Sequence, residues 1–226
     1  MNDSQLTFEE WWREFERGSR GRDYQGDLVR LLDHVSGLRG AKHEAFVEGL
    51  VDIGWLRHGS SLALAALERV AGSAARGRVA RAVENLPTVH PPHPLGDYRC
   101  QLLRVLASDP SGEFLQPVDD FFQDVIGLGF TSVVWALWPH QERRFAQYHA
   151  RYLAEQPWDA WGQTLVIQAF LTEPRALAAV RDALLERYPD KWVSVRAAVL
   201  AACTPTPRWC REQDVREVHR ICETAA

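Results

Sequence analysis

The residues best equipped for chemistry fall in a few places along the chain. Cys203, Cys210, His219 and Cys222 are the first group. His219 and Cys222 stand three apart, so on a helix both side chains face one point. Six residues separate Cys203 from Cys210, and two of them are prolines. Structural zinc favours a closer pair, so these four read more simply as small buried thiols and a surface histidine. His90-Pro-Pro-His93 offers two imidazoles from a stiff loop, with Asp97 the nearest carboxylate and no third ligand nearby. The expectation there is a solvent-facing loop. No metal and no cofactor is implied by either group.

A third group is acidic and aromatic: Asp119-Asp120-Phe121-Phe122-Gln123-Asp124. From Asp97 to Asp124 there are six acids against two arginines. One reading is a solvated helix face with Phe121 and Val125 inward. The other is an acidic docking surface for a protein with a basic surface, since long-range attraction speeds association. On that reading the partner-binding residues are Asp119, Asp120 and Asp124, with Trp158 and Trp161 on a later helix. The fourth group is basic. Arg69, Arg76, Arg78 and Arg81 form a run with no acid between Glu68 and Glu84, and Arg143, Arg144 and Arg151 form a smaller one. Such runs can meet phosphate. With two lysines and a net charge of −4, the chain lacks the basic surplus of a dedicated nucleic-acid binder. There is no Gly-rich phosphate loop, no Gly-x-Ser-x-Gly and no His-Glu-x-x-His, which weighs against an enzyme.

These residues must be carried by helices. Thr7 and Glu10 form a Thr-x-x-Glu capping box, and Phe8, Trp11, Trp12 and Phe15 follow on one helical face. That face is a core stripe or a partner-binding face. Further helices are expected at about 27–35, 41–56, 60–70, 73–86, 97–107, 113–126, 131–138 and 140–155. Another opens at Pro157 and carries Trp158, Trp161, Leu165 and Phe170, and a polar final helix is expected from Arg211 to Glu223 with Val215, Val218 and Ile221. The clearest pair spans 173–203. Leu177, Val180, Leu184 and Tyr188 make one stripe, Pro189 ends that helix, and Asp190 is placed to cap the next. The second helix carries Trp192, Val195, Val199 and Ala202, with alanines at 197, 198, 201 and 202 that permit close approach of a neighbour. No strand pattern stands out.

The run Asp190…Val195-Arg196-Ala197-Ala198…Ala201 resembles the second helix of a HEAT repeat, a family with an Asp in the turn and a Val-Arg-x-Ala-Ala type of start to its inner helix. The match covers about thirty residues. The resemblance implies an all-α chain folded as a right-handed α-solenoid of stacked antiparallel helix pairs, with about eleven helices expected. It also implies that Asp190 and Arg196 bridge adjacent repeats. Helix pairs of this length cannot bury their own apolar faces, so each must lean on the next. The chain is expected to be a single helical repeat domain over 1–226. The segment 87–96, with four prolines, then joins sub-stacks 1–86 and 97–226.

HEAT-like DNA glycosylases hold a base in an aromatic cleft beside an Asp, and Trp158-Asp159 offers that pairing. HEAT-like di-iron hydroxylases repeat His-Glu pairs, whereas His43-Glu44 occurs once. The expected function is therefore non-catalytic: a protein-binding module, of which a bacterial immunity or inhibitor protein is one kind. A DNA-processing enzyme on the same scaffold is the alternative. MNDSQLTFEE has no basic and apolar leader pattern and no apolar run reaches bilayer length, so a cytoplasmic protein with reduced thiols is expected.

Overall fold

The structure, a computed structural model, describes residues 7–19, 23–56, 61–86, 94–124, 130–155 and 167–224. Among them the chain is helical throughout and contains no strand. The helices are α1 (Phe8–Ser19), α2 (Tyr24–Gly37), α3 (Ala41–Leu56), α4 (Ser61–Val70), α5 (Ser73–Glu84), α6 (Pro94–Ala107), α7 (Gln116–Asp124), α8 (Phe130–Leu137) and α9 (Glu142–Glu155), then helical residues 167–172 (α10), α11 (Pro174–Arg187), α12 (Pro189–Ala202) and α13 (Glu212–Glu223). None is long and apolar enough to cross a membrane. The chain divides into two compact units, Met1–Ala136 and Leu137–Ala226.

The first unit is built by serial packing. The odd-numbered helices pack α1 on α3, α3 on α5 and α5 on α7; the even ones pack α2 on α4 and α4 on α6. Consecutive helices also touch, α2 on α3, α3 on α4, α5 on α6 and α6 on α7. From α1 to α7 the odd helices therefore pack in one series and the even helices in another, with contacts between the two series. The helices before and after the proline-rich segment, α5 and α6, pack directly on each other inside this unit. Residues 87–93 lie outside the described residues. Leu31, Leu50, Leu67, Leu103 and Leu106 are fully enclosed and form the spine of the interior.

α1 is held by its aromatic stripe. The capping box forms as the sequence predicts: the Glu10 carboxylate accepts from the Thr7 backbone N–H (3.0 Å) and hydroxyl (2.9 Å), and the Thr7 hydroxyl accepts from the Glu10 N–H (3.3 Å). Trp12 and Phe15 are buried, while Phe8 and Trp11 are half-buried. Trp11 stacks on His34 at 4.2 Å and meets Phe46 edge-on at 5.1 Å, so most of the stripe is interior. Phe8 lies against the backbone of α3 at Gly49, where a Cβ would come within 2.3 Å of its ring. Glycine is required there for the close approach.

In the second unit α11 packs on α9, α12 and α13, and α12 also touches α9 and α13. The expected stripe of α11 is interior: Leu177, Val180 and Leu184 are fully buried, as are Trp192, Val195 and Val199 on α12. Tyr188, not Asp190, holds the N-cap position of α12. Pro189 enters the helix as its first residue, a favoured place for a residue lacking an N–H. Asp190 is thereby drawn into the first turn, exposed, and makes no cap hydrogen bond. Ala197 and Ala201 are exposed and Ala198 and Ala202 half-buried, so the alanine face is not covered by a neighbouring helix. His149 on α9 is completely enclosed, with Phe145 at 4.5 Å and Phe170 at 5.6 Å. Loss of hydration holds its pKa down at about 3, against a smaller upward pull from a hydrogen bond to the Phe145 backbone.

Candidate functional site

The acidic helix α7 begins where the Leu115 carbonyl accepts from the N–H groups of Val118 (3.0 Å) and Asp119 (2.8 Å). Pro117 sits in that first turn without disturbing the ladder. Val118, Phe121 and Phe122 are buried, and the two phenyl rings meet edge to face at 5.3 Å. The opposite face carries the carboxylates. Asp120 is exposed and accepts from Gln116 Nε2 at 2.7 Å; Asp119 is half-buried. The side chains of Asp124 and Asp97, along with Val125, Trp158, Asp159 and Trp161, lie outside the described residues. Two other acids of this stretch are used inside the fold. Asp109 is buried, and Glu113 accepts from the Ser73 hydroxyl at 3.1 Å.

The basic run on α4 and α5 is largely spent on structure. Arg76 is a buried hub. Its guanidinium donates to the backbone carbonyls of Ala71 (2.9 Å) and Val105 and to the Ser108 hydroxyl (3.2 Å), and lies 3.7 Å from the Asp109 carboxylate. It thus serves the open carbonyl ends of α4 and α6 together. Arg78 pairs with Glu48 and Asp52 of α3. Only Arg69 and Arg81 of this run are exposed, so the four do not form a phosphate-binding track. Beside the hub, burial pushes the Glu68 carboxyl up, opposed by Arg104 at 3.0 Å. In the smaller run, Arg151 pairs with Glu155 at 2.9 Å and Arg144 donates to Gln141 at 3.4 Å.

The three C-terminal thiols share one neighbourhood. Cys203 and Cys222 are buried and Cys210 half-buried, and all are free. Burial pushes the Cys222 thiol up to about 11, with the nearby Cys203 adding to the rise; Cys203 is raised by burial and then by Cys210. Such thiols are poor nucleophiles. Among the described residues no three His, Cys, Asp or Glu side chains are arranged to hold a metal ion.

A different cluster emerges in the second unit. An open groove of about 500 Å³ is framed by the start of α11 and by α13, and its walls carry Arg175, Arg211, Arg216 and Arg220. Arg211 is bonded to Asp214 at 2.7 Å and Arg220 to Glu217 at 2.6 Å. Trp209, two residues before Arg211, is 52% exposed. Sequence reasoning treated α13 as a polar closing helix, because Arg175 is distant along the chain and only the fold brings it alongside. The spacing of Arg216 and Arg220, one helical turn apart, was the available clue.

Compared with known proteins, the chain matches no family model, no curated protein and no solved structure.

Proposed function

We propose that this chain is a non-catalytic protein-binding module built as a HEAT-like α-solenoid. The observation that carries the reading is the serial packing of the first unit, in which α1 to α5 each pack on the helix two places along and most neighbouring helices also touch. Stacked helix pairs bury their apolar faces in this way and leave long, shaped outer surfaces that suit protein recognition. The sequence resemblance at 173–203 points the same way. Asp119 and Asp120 on α7 would meet a protein with a basic surface, with Asp124, Trp158 and Trp161 as further contacts. A bacterial immunity or inhibitor protein is one module of this kind.

The alternative is a DNA-processing enzyme on the same scaffold. Internal pairing of Arg76, Arg78 and Arg151 speaks against it, because those cations are already engaged. The test uses tagged chain purified from its own host at low salt, followed by chemical cross-linking and mass spectrometry. A protein cross-linked near α7, and lost when Asp119→Asn and Asp120→Asn are combined, is the expected result. Recovery of no protein partner, together with saturable binding of duplex DNA at physiological salt, would overturn the proposal.

A further inference from the structure

We infer that the arginine-lined groove of the second unit, with the adjoining Trp209, is a docking surface for an acidic segment of a partner protein that also presents an apolar side chain. Two observations meet here. The first is Trp209 itself, a large aromatic 52% exposed on the loop between α12 and α13, with Arg208 and Arg211 on either side in the sequence. Tryptophan and arginine dominate the energetically important centres of protein interfaces, and an exposed indole has no role in the interior. The second is the charge of the groove beside it.

Four arginines (175, 211, 216 and 220) line the groove against three carboxylates, Glu173, Asp214 and Glu217, and Arg208 and Glu212, near them in the chain, offset each other in charge. Three of the arginines are in ion pairs: Arg211 with Asp214, Arg216 with Glu212 at 3.6 Å and Arg220 with Glu217. Arg211 and Arg220 hold their carboxylates through two hydrogen bonds each, whereas the Arg216–Glu212 pair is one long contact between side chains 72% and 85% exposed, so Arg216 can exchange with an incoming carboxylate. Arg175 and Arg208 are in no ion pair among the described residues, and both are exposed. The surface is thus a locally cationic spot on a chain of net charge −4.

The arrangement favours discrete carboxylates over a phosphate backbone. A nucleic acid strand presents charge at every step and needs a sustained cationic track. Here carboxylates alternate with the arginines, and the surplus is a single charge. A peptide can place one or two carboxylates on Arg175 and Arg208, where planar forks bind them in pairs of hydrogen bonds. It can then lay an apolar side chain on Trp209. This surface belongs to the second unit and α7 to the first, and the two take partners of opposite charge, so either reading can fail alone.

The experiment is fluorescence anisotropy with the full chain at low ionic strength, where charge pairing is least screened. Three fluorescein-labelled probes are compared: a Glu-Glu-Leu repeat peptide, a Lys-Lys-Leu repeat peptide and an oligothymidylate of similar length. Saturable binding of the acidic peptide alone is expected, weakened about tenfold by Trp209→Ala and by the exposed pair Arg175→Ala with Arg208→Ala. Circular dichroism and thermal unfolding check that both variants are folded. No binding of the acidic peptide would overturn the inference. So would binding that neither variant weakens, or oligothymidylate binding as tight as that of the peptide.

Discussion

Acid should loosen the second unit through one side chain, His149. Its imidazole is fully enclosed and its pKa is held at about 3, against 6.5 for the free side chain. The unfolded chain takes up a proton below 6.5, while the folded chain does so only near 3. Protonation therefore favours the unfolded state. The contribution to stability is complete above pH 6.5 and is lost as the pH falls toward 3. At pH 5 the loss from this one group is about 2 kcal/mol, since each pKa unit corresponds to about 1.4 kcal/mol. Carboxylates also titrate in this range, so a comparison is needed. His149→Leu places a side chain of similar bulk among Phe145 and Phe170 and has no proton to bind. Urea unfolding of both proteins at pH 7.5 and pH 5, followed by circular dichroism, gives the two stabilities. The native protein should lose about 2 kcal/mol more than the variant between those conditions. Equal losses would refute the reasoning, as would an imidazole resonance of His149 in the folded protein that titrates near 6.5.

The buried hub predicts a larger and simpler effect. Arg76→Leu strands the Asp109 carboxylate and the carbonyl ends of two helices, and should cost about 3–5 kcal/mol in urea unfolding. Adding Asp109→Asn removes the stranded charge and should recover part of that loss; a double variant less stable than the single one would contradict this account. Gly49→Ala forces a methyl group against the Phe8 ring and should cost about 1–3 kcal/mol. It should also loosen α1 from α3, read as faster amide hydrogen exchange along α1, and unchanged exchange would tell against it. Thr7→Ala removes one side of the capping box and should cost about 1 kcal/mol, read as a small fall in melting temperature.

Local chemistry wrote the helix boundaries plainly enough to be read. The capping box at Thr7, the left-handed Gly40 at φ 52° before α3, and Pro189 between α11 and α12 all act within a few residues of themselves. So do the stripes of α1 and α11. The destinations of polar side chains were harder, because they depend on which helices meet. Nothing near Arg76 in the chain announces that Val105 and Asp109 will stand beside it. On α9 the positions 145, 149 and 153 form the buried series, and the middle one is a histidine. Tyr148 and Tyr152, aromatic and each one residue before a member of that series, are half-buried. At the acidic patch, the amphipathic split of α7 was legible, with Phe121 inward and Asp120 outward. That Asp109 would be drawn inside was not.

Arg181 repeats the Arg76 device in the second unit. From α11 it donates to the Ile221 carbonyl at 3.4 Å and the Thr224 hydroxyl at 3.3 Å, at the far end of α13. In both places a guanidinium on one rod ties down the carbonyl end of another. Because that group stays charged at any ordinary acidity, such knots hold their grip where an imidazole would let go. A chain short of lysine and rich in arginine has, in effect, chosen fasteners that do not respond to its surroundings.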